Sequence, residues 1–357
     1  MDTIKRVLIT GGAGFIGSHL AEALVARGAR VTVLDNLSTG HRHNLAHLAD
    51  DLEFVEGDIR DADLLCRLVK GCDVVFHQAA VVSVTLSVQD PSYSCEVNSL
   101  GTVRVLDACR RKGVRRVVMA SSSAVYGDDP RLPKKEDMSP HPLSPYAVQK
   151  LTGEFYAKTF GQLYDLETVC LRYFNVYGPR QDPSSPYSGV ISIFMTKATA
   201  GQAPTIFGDG QQSRDFVYVR DVVQANWLAA TEKTAVGQVF NVGTGSCIRI
   251  RELWKMIGQL TNTTVEPCFA PPAREISVNP YPISAPSAEA SVLFQGLICE
   301  RGFPTPWPGI APIHPVITLN SRETARLFLL LLAGAGGSGH GPDTMTLCWQ
   351  NGLPIIS

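Results

Sequence analysis

A tyrosine and a lysine lie four residues apart, as Tyr146 and Lys150, directly after a Ser-Pro pair. The proline predicts a helix start, and the spacing places both side chains on one face of that helix. A nearby ammonium stabilises a phenolate and lowers the pKa of a tyrosine, which suits a general base. The pattern YxxxK is common, however, and an isolated instance reads more simply as a surface pair.

Three consecutive serines, Ser121 to Ser123, end an apolar run that predicts a buried strand. Ligands of open parallel sheets bind outside the carboxyl ends of the strands, so hydroxyl groups at this position would face a ligand crevice. The alternative is a serine-rich turn without a chemical role. Together with Tyr146 and Lys150 downstream, the serines indicate a site that handles protons.

A glycine-rich turn with the spacing GxxGxxG follows the first predicted strand. Gly11 would allow the tight turn, Gly14 the approach of a pyrophosphate to the backbone, and Gly17 the close packing of helix on strand. The N–H groups at the start of the next helix, those of Phe15 and Ile16 included, would donate to the phosphates. The alternative is that these glycines serve only a turn.

Acidic residues end the second and third predicted strands. Asp35 lies where a carboxylate can accept a hydrogen bond from the 2′-hydroxyl of an adenosine ribose, and it would repel a 2′-phosphate. The turn and Asp35 together therefore predict NAD, and not NADP, as the cofactor. Asp58 is placed to meet the adenine, and the alternative is an ordinary loop carboxylate.

The elements that must position these residues follow from the apolar pattern. Short runs rich in β-branched residues alternate with amphipathic stretches such as His19–Arg27 and Val97–Arg111. This alternation predicts an α/β fold, a Rossmann-type doubly wound parallel sheet covered on both faces. The predicted strands are Val7–Thr10, Val31–Asp35, Leu52–Gly57, Val74–His77, Val117–Ser121, Thr168–Phe174 and Val239–Val242.

The pattern divides the chain into three regions. Residues 1–175 are expected to form the NAD-binding domain, to which a later segment near 213–245 returns. Residues 176–275 are expected to form a smaller substrate-binding lobe, with helices near 188–200, 221–231 and 250–260. After Glu275 the sequence becomes rich in proline, and a helix is expected only around 322–332.

Composition excludes several classes of function. Hydrophobic residues make up 45% of the chain and charged residues 18%, as in soluble globular proteins, and the net charge of −1 favours neither nucleic acid nor a membrane surface as partner. Nine cysteines without metal-ligand spacing predict reduced thiols and no metal site. Because the N-terminus leaves no room for a signal peptide, we expect a cytoplasmic protein.

Because so many motifs occur together, the chain resembles the extended short-chain dehydrogenase/reductases. The resemblance is specifically to the nucleotide-sugar 4-epimerases that act on UDP-glucose and UDP-N-acetylglucosamine. The resemblance covers Lys5 to Glu275. It rests on the segments TGGAGFIG, DNLSTG, GDIRD, HQAA, NSLGT, SSSAVYG, SPYAVQK, LRYFNVYGPRQDP and IFGDGQQSRDFVYVRDV.

The resemblance implies a role for each matching residue. Tyr146 would be the catalytic base, Ser122 would bind the reacting oxygen, and Lys150 would also bind the nicotinamide ribose. Arg214 would bind the substrate diphosphate, and the alternative for it is a surface ion pair with Asp215. The implied NAD site comprises Gly11, Gly14, Phe15, Ile16, Gly17, Asp35, Asn36, Asp58, Ile59, Ala79, Ala80, Asn98, Tyr146, Lys150 and Phe174, and the implied substrate site comprises Ser122, Ser123, Tyr146, Asn175 and Arg214.

The implied reaction is the reversible 4-epimerisation of UDP-glucose and UDP-galactose, or of their N-acetyl forms, through a 4-keto sugar. NAD would stay bound throughout. A homodimer formed through the helices near 97–111 and 146–161 is also implied. Related 4,6-dehydratases carry an Asp-Glu pair beside the catalytic hydroxyl, where this chain has Ser123 and Ala124. A decarboxylase would need further site residues that the sequence does not identify.

The sequence after Glu275 leaves open whether the protein is active. Codons can be chosen for residues 276–284 such that the reading frame shifted by one base encodes Asp-Ile-Arg-Gln-Ser-Leu-Pro-Asp-Ile. This is the amino-acid sequence that the resemblance leads us to expect, although codon choice is free. A frameshift would remove the last part of the substrate lobe and leave a catalytically impaired NAD-binding protein. The alternative is a C-terminus specific to this lineage.

Overall fold

A seven-stranded parallel sheet is the largest feature of the computed structural model, which describes residues 4–182 and 189–271 and the backbone of 347–350 and 353–356. Across the sheet the strand order is β11-β6-β5-β4-β1-β2-β3, with every pair parallel. The strands are β1 (Arg6–Thr10), β2 (Arg30–Asp35), β3 (Leu52–Glu56), β4 (Val74–His77), β5 (Arg116–Ser122), β6 (Glu167–Tyr173) and β11 (Val239–Val242).

Helices cover both faces of this sheet. These are α1 (Phe15–Val25), α2 (Ala62–Leu68), α5 (Thr102–Lys112), α6 (Pro145–Tyr164) and α8 (Val219–Thr231). Helices α3 (Val84–Gln89) and α4 (Pro91–Cys95) pack against α6, and α7 (Val190–Thr199) and α9 (Ile250–Thr261) pack against each other. A π-helix, Glu96–Gly101, runs directly into α5. Short 3₁₀-helices span Arg42–Leu48, Ser123–Tyr126 and Lys233–Ala235.

Alternation along the strands divides the core into two layers. Val7 and Ile9 of β1 join the cluster that contains Leu24 of α1, whereas Leu8 joins the cluster that contains Leu106 of α5. Successive side chains of a strand point to opposite faces, so a strand buried on both faces reads as a continuous apolar run. Each such side chain contributes about 2 kcal/mol of burial free energy.

The chain reverses its direction across the sheet between β1 and β4. From β1 it proceeds outward to β2 and β3, and it then returns to β4 and builds the other half of the sheet. Loops after β1 and β4 therefore diverge and leave a crevice at the carboxyl ends of these strands, the usual ligand site of this architecture.

Three short strand pairs lie outside the main sheet. Strands β7 (Asn175–Tyr177) and β10 (Phe216–Tyr218) are parallel, β9 (Ser213–Arg214) and β12 (Ile248–Arg249) are antiparallel, and β8 (Thr205–Phe207) and β13 (Cys268–Ala270) are parallel. A separate unit, Val316–Ser357, contains the antiparallel pair β14 (Leu347–Gln350) and β15 (Leu353–Ile356).

The predicted fold class is confirmed, because all seven predicted strands are present within one residue at either end and form the expected parallel sheet. The predicted helix near 19–27 starts earlier, at Phe15, because Gly14 already adopts the extended conformation that precedes a helix. The helix expected around 322–332 lies outside the described residues, and so does the segment 276–284 in which we suggest a frameshift.

Candidate active site

The start of α6 brings the tyrosine and the lysine to the serine cluster. Ser144 caps the helix, since its Oγ accepts a hydrogen bond from the N–H of Ala147. The hydroxyl group of Ser122 lies close enough to that of Tyr146 to lower the pKa of the phenol, and Ser122 Oγ accepts a hydrogen bond from the N–H of Ala124 at 3.1 Å. Strand β5 and helix α6 thus meet at a pair of hydroxyl groups.

Lys150 lies one helical turn further along α6. Its Nζ donates to the carbonyl oxygen of Ala120 at 3.0 Å and lies 5.9 Å from the centre of the Tyr146 ring. Burial lowers the pKa of Lys150 to about 8. Serine, tyrosine and lysine are therefore brought together, as the sequence predicts.

The pKa of Tyr146 differs from the expectation that Lys150 lowers it. Burial raises the pKa of the phenol above its ordinary value, and the hydroxyl group of Ser122 acts in the opposite direction but is the smaller effect. The physical reason is that removal from water penalises the phenolate more than one hydroxyl donor stabilises it. The protonated phenol is thus the resting form.

The glycine-rich turn packs too closely for any other residue. A Cβ on Gly11 would lie 2.7 Å from the N of Ala79, and one on Gly17 would lie 2.2 Å from the O of Gly11. Gly11 has a φ of 71°, which favours glycine. At the start of α1, Gly14 provides no capping side chain, so the first N–H groups, those of Phe15 and Ile16 among them, point out of the helix without an intrahelical acceptor. This cradle fits a pyrophosphate.

Asp35 braces the turn from the end of β2. Its carboxylate accepts hydrogen bonds from the N–H of Ala13 at 2.9 Å and of Leu37 at 2.8 Å. Burial raises the pKa of Asp35, and these backbone donors lower it in part. The side chain that the sequence assigns to a ribose is therefore already oriented by the backbone of the phosphate turn.

Asp58 is engaged by its neighbours. Asn36 donates to it at 3.0 Å, and Arg60 donates to both carboxylate oxygens and holds the pKa of Asp58 down to about 2. These contacts match the alternative of an ordinary loop carboxylate, and contact with an adenine stays a prediction. The side chain of Ile59 is buried in the core, where it lies against Gly101.

The remaining predicted cofactor residues follow β4 and β6 or lie on the π-helix. Ala79 and Ala80 follow β4, with Ala79 packed on Gly11. The amide side chain of Asn98 bonds to both the N–H and the C=O of Val81 and donates to Gln149 on α6. Phe174, at the end of β6, lies against Gly243, where an added Cβ would be 3.1 Å from its ring.

A cavity of about 270 Å³ lies in the region that the sequence assigns to the substrate. Asn175 and Arg214 both line it, and the side chain of Asn175 is fixed by donating to the O of Asp215 at 2.9 Å. Sequence reasoning did not identify the rest of the lining, which comes from strands of three residues or fewer, from the loops beside them and from the starts of α7 and α9; it includes Gln181, Val190, Ile191, Phe207, Gln212 and Phe216.

The expected alternative for Arg214, an ion pair with Asp215, is wrong. Asp215 is buried and accepts hydrogen bonds from the N–H and hydroxyl of Thr244 and from the N–H of Gly245. Arg214 is exposed, and its guanidinium donates to the O of Ser213 at 2.9 Å. Adjacent residues of an extended segment point to opposite sides, which separates the two charges.

A buried ion pair beneath the hydroxyl cluster was also missed. Glu154 and Arg172 are each 5% exposed, and Arg172 donates to both carboxylate oxygens of Glu154. Ser121 Oγ donates to the same carboxylate. The spacing of four residues from Tyr146 to Lys150 and again to Glu154 is the signal that could have revealed it, since all three lie on one face of α6.

Within residues 4–182 and 189–271, no group of three or more His, Cys, Asp or Glu side chains is placed to hold a metal ion. None of the helices in those ranges is long and apolar enough to cross a membrane.

Comparison with known proteins agrees with this geometry. Residues 7–243 match the NAD dependent epimerase/dehydratase family. The chain is 47% identical over 271 residues to a UDP-glucose 4-epimerase of Mycolicibacterium smegmatis, which covers 75% of this chain and 86% of that protein. It is 38% identical over 265 residues to a UDP-N-acetyl-alpha-D-glucosaminuronate decarboxylase of Bacillus cytotoxicus, which covers 73% of this chain and 81% of that protein.

A solved structure is similar over nearly the whole chain. It is the UDP-glucose 4-epimerase of Thermus thermophilus in complex with NAD, with a TM-score of 0.74 and 37% identity. The match covers 92% of this chain and 99% of that chain.

Proposed function

The chain belongs to the NAD-dependent epimerase/dehydratase family, whose cofactor is NAD, and we propose that it interconverts the 4-epimers of a UDP-sugar. The sugar is UDP-glucose or UDP-galactose, or the N-acetyl form of either. The observation that carries this proposal is that Ser122 and Lys150 both lie at Tyr146, with Ser122 acting on the pKa of the phenol and Lys150 Nζ 5.9 Å from the centre of the tyrosine ring. This cluster can accept and return one proton at a sugar hydroxyl.

The glycine turn, Asp35 and Asn98 would hold the cofactor. The fit rests on the closeness of Gly11 to Ala79, on the outward N–H groups of α1, and on the braced carboxylate of Asp35. When bound, NAD supplies a hydride acceptor that can return the hydride to the same carbon.

In the proposed reaction Tyr146 moves the proton. In its phenolate form, Tyr146 takes the proton of the sugar 4-hydroxyl as the C4 hydride leaves, which yields a 4-keto sugar. Ser122 donates a hydrogen bond to the reacting oxygen, and the ammonium of Lys150 stabilises the phenolate that accepts the proton. A raised pKa of Tyr146 disfavours the phenolate in the first half of the cycle and favours return of the proton in the second half.

The cavity beside the cluster supports a nucleotide-sugar substrate. Arg214 has no acidic partner among the described residues and lines the cavity, so its guanidinium is available to a diphosphate. Asn175 follows the end of β6 and lines the same cavity as Arg214, where it can bind the sugar. A net charge of −1 leaves a local cation as the means of holding an anionic substrate.

The proposed function is tested by incubating the purified protein with UDP-galactose and, separately, with UDP-N-acetylgalactosamine, followed by product analysis. We expect the 4-epimer of at least one substrate. Tyr146→Phe should lower the rate at least about 1000-fold while NAD stays bound, because the proton acceptor is lost. Tyr156→Phe is the matched control, since Tyr156 is an exposed tyrosine of the same helix, and it should keep the rate of the wild type.

Other results would point to the alternatives. Loss of water or carbon dioxide from the sugar would show a dehydratase or decarboxylase, although Ser123 and Ala124 replace the acid pair of dehydratases. Bound NAD without any turnover would show the catalytically impaired protein that a frameshift after Glu275 predicts. An unchanged rate in Tyr146→Phe would refute Tyr146 as the base.

We also propose that the protein is a homodimer. The π-helix and α6 expose large apolar side chains that the described part of the chain leaves uncovered, among them Leu100 at 44%, Val148 at 47% and Phe155 at 61%. Exposed apolar faces of this kind mark association sites. A second copy supplies the same face, so a symmetric pair would bury both.

A further inference from the structure

A buried histidine lies at the centre of a chain of hydrogen bonds behind the NAD site. His77 is the last residue of β4 and is 3% exposed. Its Nδ1 lies 2.8 Å from Thr10 Oγ1, and its Nε2 lies 2.9 Å from Thr102 Oγ1. The imidazole ring therefore links the end of β1 to the start of α5.

The direction of these hydrogen bonds follows from the Asn98 end of the series. The carbonyl oxygen of Asn98 can only accept, and it lies 2.6 Å from Thr102 Oγ1, so the Thr102 hydroxyl donates its one proton there. Toward His77 this hydroxyl can then only accept. Nε2 of His77 must therefore carry the ring proton.

The hydrogen bonds at the Thr10 end of the series lead to the same tautomer. Burial lowers the pKa of His77 to about 3, so the ring is neutral, and a neutral ring with a proton on Nε2 accepts at Nδ1. The Thr10 hydroxyl donates to Nδ1 and accepts from the N–H of Ala79 at 3.3 Å. All four hydrogen bonds are satisfied by one arrangement.

We propose that His77 is a positioning residue that holds three parts of the NAD-binding wall together through one fixed tautomer. Thr10 directly precedes Gly11, Ala79 packs on Gly11, and Thr102 fixes the backbone of Asn98. A ring protonated on both nitrogens would donate to Thr10, whose hydroxyl already accepts from Ala79 and would lose its own acceptor. The inference rests on NAD occupying this site and does not depend on the reaction.

The first test measures cofactor affinity in the full-length protein freed of NAD. Thr102→Val keeps the shape of the side chain and leaves Nε2–H of His77 without an acceptor, so we expect NADH to bind about tenfold more weakly in a fluorescence titration. Thr102→Ser restores the hydroxyl and should bring the Kd back to within about twofold of the wild type.

Thr168→Val is the matched control. Thr168 is 3% exposed and its hydroxyl donates to the O of Ala157 at 2.9 Å, in β6 and away from this wall. We expect it to lower stability as Thr102→Val does but to leave the Kd for NADH unchanged. If both valine variants lose stability and neither changes the Kd, the hydrogen bonds around His77 only stabilise the core and the proposal is wrong.

The second test observes the tautomer itself. Nitrogen-15 chemical shifts of His77 should show a protonated Nε2 and an unprotonated Nδ1 from about pH 5 to pH 8, with and without NAD. A proton on Nδ1, or a mixture of tautomers, would overturn the proposal. Neither test uses a UDP-sugar, so failure here is distinct from failure of the epimerase proposal.

Discussion

Lys150 holds its ammonium in a site where burial lowers the pKa from 10.5 to about 8. Between these two values the folded protein binds fewer protons than the unfolded chain, so stability rises with pH across this window. Below about pH 8 the buried charge carries its full cost. The charge is kept because the proposed chemistry needs a cation beside the phenol, a conflict between stability and activity at a single residue.

Lys150→Met should therefore raise the free energy of unfolding at pH 7 by about 2 kcal/mol while abolishing activity. The gain should shrink as the pH rises from about 8 toward 10.5, because the wild-type lysine then loses its proton in the folded state. Urea unfolding at pH 7 and at higher pH measures both effects. Lys158→Met changes an exposed lysine of the same helix and serves as control. A variant that is less stable at pH 7 would contradict this account.

Helix α1 depends on a glycine at one position of its first turn. Gly17→Ala would place a Cβ 2.2 Å from the O of Gly11, so the turn or the helix must shift. We expect a loss of about 2 kcal/mol in stability together with loss of NAD binding, since the shifted atoms form the phosphate cradle. Unfolding curves and NADH titration measure the two effects.

Gly161 of α6 provides the comparison within a helix. A Cβ there would lie 3.4 Å from the O of Leu166 and 3.5 Å from Oγ1 of Thr168, which is ordinary contact. Gly161→Ala should therefore stabilise the protein by about 0.5–1 kcal/mol with NADH affinity unchanged. Equal effects of the two substitutions would show that helix propensity, and not the close approach at Gly17, decides the outcome.

Helix α6 is fixed to β6 by the buried pair of Glu154 and Arg172. Glu154→Gln leaves the guanidinium without its charge partner, and we expect a loss of about 3 kcal/mol in unfolding free energy. Replacing both residues with Met should recover much of that stability, because no charge then remains buried. Glu252→Gln breaks the exposed pair with Arg249 and should cost at most about 0.5 kcal/mol. A double variant no more stable than the single one would contradict this explanation.

The seven main strands could be predicted because each is buried on both faces and leaves a continuous apolar run in the sequence. The strands that build the cavity could not. β7 has three residues and pairs with β10, which follows it about 40 residues later, so no local pattern marks either. For the same reason the sequence suggested Arg214 as a ligand residue but could not choose between a free guanidinium and an ion pair with Asp215.

At the scale of the whole molecule, the apolar face of α6 predicts association. Phe155→Glu places a charge at an apolar position of α6 that is 61% exposed, and we expect it to convert the dimer to a monomer in sedimentation analysis. Phe269→Glu is the control, since Phe269 is 50% exposed but lies in β13, and it should leave the dimer intact. A wild-type protein that sediments as a monomer would refute the dimer.

The π-helix Glu96–Gly101 makes one of its turns one residue wider than its neighbours, because its hydrogen bonds span five residues and not four. Such a turn has the form of a single-residue insertion in an ordinary helix. Deleting Ser99 should let the segment rewind as one continuous α-helix with α5; residues outside the wide turn would keep their directions, but those inside it, Asn98 among them, would be rotated. Asn98 would then turn away from Val81 and Gln149. The protein would keep its helix content and lose one wall of its cofactor crevice. A single extra residue therefore distinguishes a regular helix from one that directs Asn98 toward Val81 and Gln149.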